Sequence, residues 1–221
     1  MVKLIRFLAS FLLIPLILAF VHEGYLFLQA NVRFDAISEL VYGFIAYVLL
    51  YLLALHDRIR FLEHFEHELG HALMGLLFFK RIDELLVNPQ EGSNVKMHGT
   101  TDFNFLITLA PYFLPVFTLP LLILRLFVFT SLLGVVNFLI GVTLAFHYLG
   151  LAREFKREQP DIRDSGPVFS LLITVTMNVV FLVIILSAVL DDYQGIIDYL
   201  GRAFSRTIAY GQALINLLRN R

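Results

Sequence analysis

Six apolar runs, at residues 4–21, 37–55, 61–79, 105–124, 126–149 and 168–190, occupy most of this chain of 221 residues. Each approaches the ~20 residues an α-helix needs to cross the hydrocarbon core of a bilayer. In lipid the backbone N–H and C=O groups find no water, so such runs satisfy them internally, as helices. Composition agrees: 58% of residues are hydrophobic, 16% are charged, and the mean hydropathy is +0.78. Soluble domains carry about a quarter charged residues. The expected fold is an all-α polytopic membrane protein with about six transmembrane helices. The first run has the basic start and apolar centre of a signal peptide. It is as long as a spanning helix, however, and no small-x-small cleavage site follows it, so we read it as a retained helix.

Three connections are polar enough to read as loops: "HEGYLFLQANVRFDA", "KRIDELLVNPQEGSNVKMHGTTDFN" and "AREFKREQPDIRDSGP". The second holds two strand-like stretches, "RIDELLVNP" and "NVKMHGTTDF", around "PQEGS", which has turn chemistry. A short β-hairpin or strand element is therefore expected there. The run at 105–124 carries Pro111, Pro115 and Pro120. Each proline removes a backbone donor, so this run is expected to bend, and its freed carbonyls need partners inside the protein. The tail has apolar Ile196, Ile197, Leu200, Phe204, Ile208, Leu214, Ile215 and Leu218, with Arg202, Arg206, Arg219 and Arg221 between and after them. That is the pattern of an amphipathic interfacial helix. No internal repeat or low-complexity linker divides the chain. It reads as a single membrane domain, 1–221, with accessory helices at 1–59, a core at 60–190 and the tail at 191–221.

Charge narrows the function. A net charge of −1 excludes nucleic acid as a partner, because phosphate binding needs a basic surface. The absence of cysteine removes disulfides, thiolate ligands and cysteine nucleophiles together. Lys3 and Arg6, then Arg58 and Arg60 two crossings later, agree on a cytoplasmic side by the positive-inside rule. Arg153, Lys156, Arg157 and Arg163 come three crossings after Arg60. Six full crossings and the rule therefore conflict at that loop.

The chemistry-bearing stretch is "EHFEHELGHALMG", residues 63–75, at the start of the third run. His67-Glu68-Leu69-Gly70-His71 is an HExxH motif. Residues i and i+4 share a helix face, so both imidazoles can address one ion, while Glu68 lies near the same face as a general base. With 7 histidines in the chain, random placement gives only about 0.01 such motifs. A solvated helix end is the competing explanation. It fits poorly here, because an acid or base in a membrane helix costs at least ~2.5 kcal/mol unless it is paired or bound. Asn137 and Asn178 also lie in apolar runs; they are read as interhelical hydrogen-bond links or, second, as oxyanion donors. His64 is read as an interfacial histidine or a partner of Glu68.

A catalytic zinc takes three protein ligands and keeps one position open. The third ligand is sought first at Asp161, then at Asp164, both in "QPDIRDSGP" before the last long apolar run, where a helix start favours a carboxylate. His147, inside an apolar run, comes third.

"HELGHALMGLLFFKRIDELLVNPQEG" resembles the site-2 protease (M50) family of intramembrane metalloproteases: HExxHA, a small residue four positions on, a short strand and a Gly turn. The resemblance covers about residues 60–190, which makes this the metalloprotease-like core. It implies zinc (Zn2+) held by His67, His71 and a distant aspartate, carried over to Asp161, with Glu68 as base. The family's N-x-x-P-x-x-x-L-D-G is replaced here by "QPDIRDSG", so the chain reads as a divergent member. Asp161 follows Pro160 as the family's aspartate follows a proline-containing turn. The function implied is an intramembrane zinc endopeptidase acting on a membrane protein or peptide within the lipid bilayer, in a multi-pass protein of a prokaryotic cytoplasmic membrane. The alternatives are a membrane di-iron oxidoreductase acting on lipids, for which Glu68-x-x-His71 is one half-site, and a non-catalytic membrane scaffold.

Overall fold

The computed structural model describes residues 2–56, 58–87, 93–98 and 104–219. Nine α-helices and one small sheet follow in order among these residues: α1 Val2–Asn31, α2 Phe34–Leu50, α3 Arg60–Leu77, β1 Ile82–Leu86, β2 Asn94–Met97, α4 Phe105–Leu109, α5 Thr118–Arg125, α6 Leu133–Glu154, α7 Pro160–Ser165, α8 Pro167–Val189 and α9 Tyr193–Arg219. The chain is thus mostly helical. Four helical spans among the described residues are long and apolar enough to cross a membrane: Leu13–Asn31, Phe34–Ala54, Thr130–Glu154 and Pro167–Val189. This is an integral membrane protein.

Two of the six apolar runs do not form such spans. The run at 61–79 becomes α3, whose Glu63, Glu66 and Glu68 are all buried, and its acids leave too little continuous apolar surface. The run at 105–124 is not one helix. It breaks into α4, a 3₁₀ turn at Ala110–Tyr112 and α5, with Pro111 inside the turn and Pro115 before α5, as the missing donors require. The stretch at 22–36, read as a loop, is helical through Asn31.

The chain forms two compact units, Ser38–Ile162 and Met1–Ile37 with Arg163–Arg221. In the first, α2 and α6 approach so closely that side chains are excluded. A Cβ on Gly43 would lie 1.9 Å from the Phe138 carbonyl oxygen, and one on Gly141 2.0 Å from that of Leu40. Small residues allow this backbone contact, the main means of helix association where no hydrophobic force acts between helices. Below it, Tyr47, Tyr51, Ile59, Ala145 and Phe146 form a buried cluster.

β1 and β2 pair antiparallel, with Leu85 opposite Val95 and Leu86 opposite Asn94, and the register shifts between Ile82 and Glu84. The expected strand pair is therefore present; its turn residues 89–92 lie outside the described residues. Phe79, at φ 57°, turns the chain out of α3, and Lys80 N–H donates to the Gly75 carbonyl at 2.8 Å. Gly75 then seats the sheet on α3, since a Cβ there would lie 2.7 Å from Met97 Sδ.

In the other unit α1 packs against α8 and α9. Glu23 of α1 is buried and accepts from Arg202 Nε at 3.1 Å and Arg206 Nε at 2.5 Å. Tyr199 O–H donates to the Phe20 carbonyl at 3.3 Å. The amphipathic tail is thus a helix whose Arg202 and Arg206 turn toward a membrane-helix carboxylate, leaving Ile197, Phe204, Ile208 and Ile215 as an exposed stripe.

The glycine contacts between α2 and α6 make a direct prediction. Gly43→Ala and Gly141→Ala each force the two backbones apart and should lower stability by about 1–3 kcal/mol, the range for overpacking. Gly201→Ala, where a Cβ meets nothing within 4 Å, should leave it unchanged or raise it slightly. Thermal unfolding of the purified protein in detergent compares the three.

Candidate metal centre

α3 presents His67 and His71 one turn apart, with ring centroids 5.0 Å apart. Asp161, on the first turn of α7, faces both: its Oδ2 lies 3.4 Å from His67 Nε2 and 3.2 Å from His71 Nε2. Among the described residues these three are the one group of His, Asp and Glu whose ligand atoms come close enough to hold a metal ion. All three are largely buried, with side chains 13%, 14% and 22% exposed.

The opposite ring nitrogens are engaged. His67 Nδ1 lies 2.6 Å from Glu154 Oε2, and His71 Nδ1 lies 2.9 Å from the Ile107 carbonyl oxygen. A carbonyl and a carboxylate only accept, so both Nδ1 atoms carry the hydrogen. Both Nε2 atoms then turn toward the Asp161 oxygen, where each can offer a lone pair to a metal ion or, as an imidazolium, a hydrogen to the carboxylate. Metal-ligating histidines have this second hydrogen bond as a rule. Burial alone would raise the pKa of Asp161; the two facing imidazoles outweigh burial and hold it well below the usual carboxylate range.

Neighbouring elements fix these side chains. Asn104 caps α4, its Oδ1 accepting from Leu106 N–H at 3.1 Å and Ile107 N–H at 3.3 Å, which sets the carbonyl that His71 uses. The 3₁₀ turn lies against α3 at Gly70, where a Cβ would be 3.1 Å from Pro111 Cα. That approach places the Tyr112 ring edge-on to His67, centroids 5.3 Å apart, with its O–H donating to Asp161 Oδ2 at 3.4 Å. At the end of α6, Arg153 donates to both Glu63 oxygens, at 3.1 and 3.0 Å, and to the His56 carbonyl at 2.7 Å.

A cavity of about 700 Å³ opens beside the cluster, lined by His67, Glu68, His71 and Asp161, by all of β2, and by Ile107 and Thr108. Glu68 is itself buried. The site's inner wall is thus polar and convergent, and an edge of the small sheet forms part of the opposite wall.

The sequence candidates separate cleanly. His67, His71 and Asp161 converge. Asp164 is exposed and pairs with its neighbour Arg163 at 3.3 Å. His147 is buried and faces Glu66 at 3.3 Å. His64, read as an interfacial histidine or a partner of Glu68, is part-exposed and reaches toward Glu154 at 3.8 Å. Asn137 accepts from Arg125 Nε at 3.0 Å, and Asn178 donates to the Thr174 carbonyl of its own helix at 2.8 Å. The Arg125 bond links α5 to α6, the interhelical role read for Asn137, while the Asn178 bond stays within α8. Sequence reasoning missed Glu154, Tyr112 and the Ile107 carbonyl. Glu154 read as one of several loop acids, and no periodicity links it to His67, 87 positions earlier.

Fold and site together define a membrane protein built around a two-histidine, one-carboxylate centre. The family model described as Peptidase M50B-like matches residues 40–158, just over half the chain, and the protein belongs to that family of membrane metallopeptidases. No curated protein and no solved structure matches it. The match stops short of Asp161, so that residue's place in the site rests on geometry.

Gly70 supplies the test of this packing. Gly70→Val drives two methyl groups toward the Pro111 backbone and should cost about 1–3 kcal/mol of stability. Because the displaced turn carries Tyr112, proteolytic nicking between residues 105 and 125 should also increase. Both are measured on the purified variant, by thermal unfolding and by limited proteolysis.

Proposed function

We propose that this protein is an intramembrane zinc endopeptidase that cleaves membrane-spanning protein substrates, with His67, His71 and Asp161 as zinc ligands and Glu68 as general base. One observation carries the reading. Around a tetrahedral zinc with ligands at about 2.0–2.1 Å, neighbouring ligand atoms stand about 3.3–3.4 Å apart. The two Nε2–Oδ2 separations are 3.4 and 3.2 Å. The donor set also suits zinc chemically: two neutral imidazoles with their far nitrogens tied back, and one carboxylate.

When bound, zinc supplies Lewis acidity and brings the pKa of water toward ~7. The chain's own residues do the rest. Glu68, buried on the cavity wall, takes the proton from the water that attacks the peptide carbonyl carbon. It then returns the proton to the leaving amine nitrogen as the C–N bond breaks. A substrate in helical form shields its carbonyls with its own hydrogen bonds, so it must be extended at the scissile bond. β2 lines the cavity, and among the described residues the sheet has two strands. The edge of β2 not bonded to β1 is suited to main-chain pairing with an extended substrate segment. A di-iron oxidoreductase calls for more converging ligands than this single group supplies.

Two experiments test the reading. Glu68→Gln should retain zinc and lower cleavage of a co-expressed membrane substrate at least about 100-fold; cleavage at the wild-type rate overturns the role of Glu68. Asp161→Ala should lose zinc after purification while Asp164→Ala keeps it, with metal content read by elemental analysis. The opposite result moves the third ligand.

A further inference from the structure

The geometry points to Glu154 as the positioning residue of the centre: it fixes His67 as the Nδ1–H tautomer and so delivers Nε2 to the metal. This inference rests on the metal-site reading above. It goes beyond it by assigning a role to a residue on a different helix, outside the motif.

The two imidazoles are oriented by different means. His71 donates to a main-chain carbonyl, Ile107, at 2.9 Å, and no side-chain substitution removes that acceptor. His67 depends on a side chain, Glu154, at 2.6 Å. It is the one imidazole of the pair whose orienting partner the sequence can vary. Glu154 is itself held. It ends α6, and the preceding residue, Arg153, clamps that helix end to Glu63 and to the His56 carbonyl and lies over the Tyr51 ring at 5.7 Å. Its second oxygen, Oε1, turns toward His64 Nδ1 at 3.8 Å. The side chain is only 16% exposed, so water competes weakly for its oxygens.

The chemistry requires such a group. A neutral imidazole distributes its proton between two nitrogens. In the wrong tautomer His67 would aim an N–H at the ion in place of a lone pair. A carboxylate at Nδ1 removes that choice and increases the basicity of Nε2, and losing such a partner typically weakens metal binding 10–100-fold. Tyr112, edge-on to the same ring, limits its swing but offers no acceptor at Nδ1.

The test measures zinc affinity of the purified full-length protein in detergent, by competition with a chromophoric chelator, for wild type, Glu154→Gln, Glu154→Leu and His67→Ala. Glutamine keeps the side-chain length and a neutral acceptor; leucine is one atom shorter, apolar, and keeps no acceptor. The expected order is wild type, then Gln, then Leu, with Leu about 10–100-fold weaker than wild type. A purely structural pairing would lower the melting temperature of both variants without this graded loss of affinity. If Leu binds zinc as wild type does while His67→Ala loses it, the role of Glu154 is overturned and the metal site stands. If His67→Ala also binds unchanged, the metal-site reading falls and this inference with it. Where Leu does not fold, wild type against Gln decides, and equal affinities overturn the proposal.

Discussion

Three lone-pair donors meet in the apolar surroundings of α3, and the rest of the site follows from making that tolerable. Buried ionisable groups are costly unless they are paired and hydrogen-bonded, and α3 carries His64, His67 and His71 with Glu63, Glu66 and Glu68 inside two and a half turns. The fold answers residue by residue. Glu63 meets Arg153, Glu66 meets His147, His67 meets Glu154 and His71 meets the Ile107 carbonyl. What remains, the two Nε2 atoms facing Asp161, is the group whose ligand atoms come close enough to hold a metal ion. The polar network on the α6 side of α3 is therefore the condition that lets the HExxH face turn toward the cavity.

Close backbone approach is the second requirement. Long side chains between helices would hold α3 too far from its partners for hydrogen bonds of 2.6–2.9 Å. Gly70 lets α3 touch the 3₁₀ turn and Gly75 lets it touch β2, where a Cβ would lie 2.7 Å from Met97 Sδ. The two glycines sit just inside and just beyond the motif, so α3 is fixed at the site on two sides. Gly43 and Gly141 do the same between α2 and α6, which places the end of α6, and with it Glu154, against α3.

The parts of the site legible in the sequence are those that local periodicity encodes. His67, Glu68 and His71 follow from the helical repeat. The strand pair follows from composition after α3. Asp161 was reachable because a proline ahead of an acid marks a helix start, although the family motif around it is altered. Glu154 was not legible: its pairing with His67 is a tertiary fact between residues 87 apart, and nothing in "AREFKRE" distinguishes it from a solvated loop acid. Of the six expected crossings, four form spans among the described residues, for a related reason. Hydropathy sums composition along a run and is blind to whether the backbone stays continuous, as the run at 105–124 does not, or to how many acids α3 must bury. The extension of α1 to Asn31 was hidden likewise, because Glu23 looks like a loop residue until Arg202 and Arg206 arrive from α9.

The broken run also explains a contact that a regular helix would weaken. In an uninterrupted α-helix the Ile107 carbonyl would accept from the N–H of residue 111. Residue 111 is proline and has no N–H to give. Ile107 O accepts instead from Ala110 N–H, in the tighter 3₁₀ geometry, and keeps its second lone pair for His71 Nδ1 at 2.9 Å. In a membrane protein a carbonyl freed by proline must find an internal partner. Here Ala110 N–H and the second imidazole of the motif share it. The proline that interrupts the helix thus creates the acceptor that fixes the tautomer of His71, and the same turn brings Tyr112 to Asp161. The loss of a regular span is what allows this segment to build one wall of the site.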